Sequence, residues 1–173
     1  MFDPTIYENI KVVLEGEIYD IDLSGEILVI NREDTVDLAK MSRKFNIQFT
    51  LVNSEKDDAA EIQLTASTDD LAKEILERDL GIKPGCEISV KFYLHILDID
   101  YCKKIEDKLN NLWDHRPTIV QNLSFLYQEN NFPEEFFNEV TLNFGRKIDE
   151  DNIADIHGLI EHTLRSLKAL SEI

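Results

Sequence analysis

Cationic side chains are scarce in this 173-residue chain: 18 lysines and arginines stand against 35 aspartates and glutamates, a formal charge of −17. Phosphate contacts need clustered Lys and Arg, so no nucleic-acid partner is expected. No anionic membrane surface is expected either. A basic protein partner is compatible with the charge, and so is plain solubility. Cysteine is scarcer still: Cys86 and Cys102 form no CxxC and have no metal-type spacing, which fits reduced thiols in a cytoplasmic protein. Long apolar runs are missing too. The longest aliphatic one covers residues 27–30, far short of the roughly 20 residues of a membrane span. No basic stretch followed by an apolar one opens the chain, so no signal peptide is expected. The few glycines are scattered without a phosphate-cradling loop, and GxSxG is absent. The chain reads as a non-enzyme with no cofactor and no metal.

With 43% hydrophobic residues, the sequence can bury a core without a disulfide or metal. Apolar residues alternate from Ile10 through Val12, Leu14, Gly16 and Ile18, then shift phase to Tyr19, Ile21 and Leu23. This predicts a strand bent at Gly16, where a residue without Cβ costs least. Asp22-Leu23-Ser24-Gly25 supplies turn chemistry, and residues 26–31 return as a second strand. Residues 15–30 thus read as a β-hairpin or a sharp strand corner around which a small sheet is built. Residues 45–52 alternate cleanly (Phe45, Ile47, Phe49, Leu51), a polar loop follows at 53–58, and 60–66 and 86–97 supply two more strands. Between those two, Ser67 or Thr68 caps a helix with acids in its first turn, closed by Gly81.

After residue 100 the period turns helical. Residues 101–113 carry Ile105, Leu109, Leu112 and Trp113 on one side. Pro117 suits the first position of a helix reaching about residue 130, and Pro133 starts another ending at Gly145. Asp149 caps the last and longest helix, 150–172. The fold class expected is α+β: an antiparallel, six-stranded, barrel-like sheet over residues 1–113, then a helical extension over 114–173. In the last helix Ile153, Ile156, Ile160, Leu164 and Leu167 recur at three- and four-residue steps. That stripe is broad enough to pair with a second copy, so a homodimer through it is expected, the alternative being packing within one chain onto the helices expected over 117–144.

Residues 20–30, Asp-Ile-Asp-Leu-Ser-Gly-Glu-Ile-Leu-Val-Ile, resemble the strand–turn–strand of PilZ domains with their DxSxxG signature. Residues 88–100 are similar to that family's last barrel strand, with an amphipathic helix directly after. The resemblance covers about residues 10–113. It implies a six-stranded β-barrel adaptor without catalysis, acting through protein contacts in bacterial signalling or motility, and often binding cyclic di-GMP. Carried over, Asp22 and Ser24 match the Asp and Ser of the signature, while its final Gly falls on Ile27. The family's RxxxR has no counterpart, since residues 1–10 hold no Arg or Lys. Arginine forks would supply most of the grip on guanine and phosphate, so no binding of the dinucleotide is expected. Arg32 and Arg43 are the nearest substitutes. A second reading is an acidic chaperone or immunity-type protein that masks a basic partner.

Two further constellations have plainer readings. His157, Glu161 and His162 lie close on the last helix, but 162 is turned about 100° from 161, and a solvated polar face accounts for them. The acid pairs at 69–70 and 134–135 stand at expected helix starts, where charge–dipole attraction explains them.

Overall fold

A computed structural model describes residues 5–76 and 83–173. The elements run α1 (Thr5–Leu23), β1 (Ile27–Asp37), β2 (Ser42–Leu51), β3 (Ala59–Ala66), α2 (Thr68–Leu76), β4 (Cys86–Ile96), α3 (Tyr101–Leu112), β5 (Thr118–Ser124), β6 (Phe136–Ile148) and α4 (Ile153–Ser171). One antiparallel sheet holds all six strands in the order β1-β2-β3-β4-β6-β5. The α+β class and the six-stranded sheet are as expected, with a helix at the C-terminal end. The sheet is open, however. Its outer strands β1 and β5 do not pair, so no barrel is closed.

The largest correction is at the N-terminal end. Residues 10–23 are helical, and the β-hairpin expected over 15–30 is a helix–turn–strand. Ile10, Leu14 and Ile18 fit a period of two and a period of 3.6 equally, because steps of four satisfy both. Tyr7 and Val12 break the tie: Tyr7 is buried with Ile10, Leu14 and Ile18, whereas Val12 is 63% exposed. Gly16 makes no bend and lies on the outer face of α1 with open space beside it. An ion cluster pins this helix to the sheet. Lys11 Nζ reaches Glu8 (2.6 Å) and Asp34 (2.8 Å), while Arg43 bonds Glu8 (2.6 Å) and Asp34 (3.3 Å). The Arg43 guanidinium also lies 4.6 Å from the centre of the Tyr7 ring.

The second correction concerns residues 117–145, expected as two helices and found as the hairpin β5–β6. These strands pair directly onto β4, so the boundary expected after Trp113 runs through a continuous sheet. Alternation is hidden here by a polar residue pointing inward. Asn138 is fully buried among Phe136, Val140 and Leu142 positions, and its Nδ2 donates to Gln121 Oε1 at 2.9 Å. Gln121 Nε2 in turn donates to the Cys102 carbonyl at 2.8 Å, joining β5 to α3.

One face of the sheet carries Phe45, Ile47, Phe49, Ile62, Leu64, Val90, Phe92, Val140 and Leu142, all buried beneath the helices. The strand phase read for residues 45–52 and 86–97 therefore holds. The opposite face is a polar ladder (Gln48, Glu61, Lys91, Thr141) with Lys91 bonded to Glu139 at 3.0 Å. A half-polar antiparallel sheet needs cover on one side only. Two of the helix starts read from sequence, those before α2 and α4, also hold. Ser67 Oγ accepts the Asp70 N–H at 3.2 Å, and Asp149 forms a capping box with Asn152 ahead of α4. The Gly81 cap lies outside the described residues.

Candidate functional site

The residues singled out by sequence are placed in structural work. Asp22 Oδ1 accepts the Val29 N–H at 2.9 Å, and Ser24 Oγ donates to the Ile21 carbonyl at 2.7 Å. Both close the α1–β1 turn, where Gly25 takes a φ of +81°. Asp22 belongs to the last turn of α1, so the strand–turn–strand behind the PilZ resemblance is not the local structure. Arg32 is forked onto Glu15, and Arg43 is held in the α1 cluster. Neither guanidinium faces Asp22 or Ser24 through a bond.

The stripe on α4 is covered within the protomer. Ile156, Ile160 and Leu167 are at most 2% exposed, Leu164 is buried and Ile153 half-buried, against α1, α3 and β3. Within one chain this stripe is packed by α1, a helix that the alternation of residues 10–23 does not reveal, together with α3. His157 Nδ1 lies 3.1 Å from Glu17, whereas His162 Nδ1 donates to the Gly158 carbonyl at 2.9 Å and its ring lies tilted against Trp113 at 5.3 Å. Among the described residues no three His, Cys, Asp or Glu side chains converge as a metal set. Burial pushes the Cys86 thiol up to about 12, which leaves no thiolate for nucleophilic chemistry near neutral pH.

Beside Trp113 a half-open cleft of about 820 Å³ runs between α3, α4 and β6. Ile88, Phe144 and Leu159 contribute to its lining, and the exposed Arg116 and Arg146 stand at the mouth. Each arginine has an acid beside it, Asp114 at 4.0 Å and Asp155 at 3.8 Å, so the mouth is close to neutral.

A stronger signal lies at one end of the sheet, where sequence had placed a helix. The β5–β6 connection, residues 125–135, extends beyond the sheet and carries Phe125, Leu126, Tyr127 and Phe132, the last 96% exposed. A Gln128–Asn131 bridge and a left-handed Asn130 (φ +67°) shape its tip, and Asn tolerates that conformation better than most residues. The β4–α3 turn adds exposed Leu97 and Ile99. Register brings these segments together: Ile96 pairs with Phe136, His95 with Phe137, and Ser124 with Phe137. Aromatic contacts support the base of the patch, with Phe125 edge-on to Phe136 at 6.1 Å and Phe137 stacked on Tyr93 at 6.0 Å. Glu129, Glu134 and Glu135 are exposed around it. Exposed apolar side chains gathered at one end of a sheet and rimmed by charge are what partner-binding surfaces present. The trace of it in the sequence is charge: residues 117–128 hold no charged side chain, in a chain that is 31% charged.

No helix among the described residues is long and apolar enough to cross a membrane. Set against family models, curated proteins and solved structures, the chain matches none.

Proposed function

We propose that the chain is a non-enzymatic adaptor that works in the cytoplasm by holding a partner protein at the apolar end of its sheet. The carrying observation is the solvent exposure of Leu126 (88%), Tyr127 (82%) and Phe132 (96%) on one hairpin tip beside Leu97 and Ile99. Folding gains nothing from side chains left in water, and their burial against a partner is worth about 1.5–3 kcal/mol each. The glutamate rim selects the partner's chemistry: an apolar segment flanked by Lys or Arg. A second reading, an acidic chaperone or immunity-type protein that masks a basic partner, is favoured by the same rim. Cyclic di-GMP has no place in either. Asp22 and Ser24 are occupied by the turn, and Arg32 and Arg43 by carboxylates.

Fluorescence anisotropy with labelled amphipathic peptides tests the proposal. Peptides with basic flanks should bind and acidic-flanked ones of the same apolar core should not. Leu126→Ser with Phe132→Ser should weaken binding roughly tenfold or more. Equal binding of both peptide classes, or full binding by the double variant, would refute it. A whole folded basic protein that binds where no peptide does favours the masking reading.

A further inference from the structure

The two edges of the sheet are built differently. β1 carries a bulge between Val29 and Asn31 and the charges of Arg32, Glu33, Asp34 and Asp37. Bulges and charges are the devices that keep an edge from pairing with another chain. β5, the opposite edge, has none of them. Thr118–Ser124 contains no charge and no proline, and it pairs with β6 without a register shift. Among the described residues no element other than β6 makes backbone hydrogen bonds to it.

The order of residues on β5 says what fits there. Thr-Ile-Val-Gln-Asn-Leu-Ser has a hydroxyl at each end, an aliphatic residue next to each hydroxyl, and Gln121 at the centre. We infer that β5 pairs antiparallel with β5 of a second copy of this chain about a two-fold axis at Gln121, extending the sheet to both protomers. A two-fold interface demands that one strand present complementary groups to itself read backwards. In this register Thr118 faces the partner's Ser124, Ile119 faces the partner's Leu123, and Val120 faces the partner's Asn122. Directly opposed residues in an antiparallel pair project to the same side. The match keeps sidedness, because Ile119, Gln121 and Leu123 all lie on the helix-covered side, opposite buried Leu142, Val140 and Asn138. Ile119 and Leu123 are half-buried at the edge, and the partner would cover their outer flanks. Gln121 is already bonded to Cys102 and Asn138, so only its backbone serves the axis.

Charge argues for the same occupant. A basic partner would be met by acids, yet residues 117–128 carry none, whereas two copies at −17 each can approach only through a neutral strip. Seven paired residues per chain make a small interface beside the about 1,200–2,000 Å² of standard complexes, so the dimer forms with rising concentration. It does not depend on the proposed adaptor surface, whose tip lies beyond the paired strands.

Light scattering on the full chain tests this. The mass should climb with concentration from 20.1 kDa to twice that value. Val120 is 42% exposed, so Val120→Lys should keep the fold and hold the mass at that of one chain, since two diagonal lysines then face each other across the axis. Val120→Cys combined with Asn122→Cys should give a disulfide-linked dimer on oxidation, and Val120→Cys alone should not. A single-chain mass for the unaltered protein across the whole range overturns the inference. So does a dimer that survives Val120→Lys with unchanged circular dichroism, or one that the cysteine pair fails to link.

Discussion

Exchanging Leu14 and Val12 for alanine, one at a time, decides whether residues 5–23 form the helix. A strand through this segment would bury both side chains on one face. The helix buries Leu14 completely and leaves Val12 63% exposed. Leu14→Ala then removes a side chain packed among Tyr7, Ile10, Ile18 and the sheet, and costs about 2–5 kcal/mol, the range for cavities in well-packed cores. Val12→Ala should do the reverse. It removes little buried surface and replaces a β-branched residue by the best helix former, a gain of up to about 0.5 kcal/mol. For a chain of this size each kcal/mol moves the melting midpoint by about 2–4 °C. Leu14→Ala should therefore melt at least 4 °C lower and Val12→Ala at or slightly above the parent. Urea titrations followed by circular dichroism measure both, with slopes unchanged if unfolding stays two-state. Equal losses in the two variants would refute the helix.

Three other outcomes follow. Burial alone would raise the Asp70 carboxyl, but hydrogen bonds from Lys147 and Ser67 outweigh it and hold the group below its ordinary 3.8. The stability it supplies is complete above 3.8 and is lost as pH falls through the lowered folded value. Asp70→Asn should thus cost about 1–2 kcal/mol at neutral pH, allowing for solvent on the Lys147 side, and urea midpoints of the two proteins should converge below pH 3.8; a gap that persists in acid contradicts the pairing. Trp113 Nε1 donates to Ser166 Oγ at 2.9 Å in a buried contact, so Ser166→Ala should cost about 1–3 kcal/mol through the unpaired donor, and an unchanged urea midpoint would contradict that bond. Calorimetry with cyclic di-GMP should return no micromolar isotherm, and one abolished by Arg43→Ala would show that a site had been rebuilt from the α1 cluster.

The sequence disclosed elements in which one periodicity stands alone. Residues 45–51 and 86–96 alternate with Tyr93 as the one large departure, and their strands and inward faces are where the pattern puts them. Ser67 and Asp149 carry capping chemistry, and each is followed by acids that suit a first helical turn. Misreadings arose where a local pattern served two periods or was broken from within. Residues 10–18 fit strand and helix alike until tertiary burial of Tyr7 chooses. In β6, Phe136, Val140 and Leu142 alternate only if Asn138 is allowed inside, and nothing local announces that Gln121 will satisfy it. The inward Asn138 also conceals the apolar end of the sheet. Read as a helix, residues 117–130 would have buried Leu126 or Tyr127, and only the hairpin turns both outward.

The central claim is that the hairpin tip is the contact surface, and a photo-reactive amino acid in place of Phe132 tests it most directly. In cells that make the protein, irradiation should join this position to one partner, through a segment whose apolar residues are flanked by Lys or Arg. The same probe in place of Val12, also exposed but on α1, should give no adduct. Adducts of equal yield at both positions, or none at Phe132, would contradict the account.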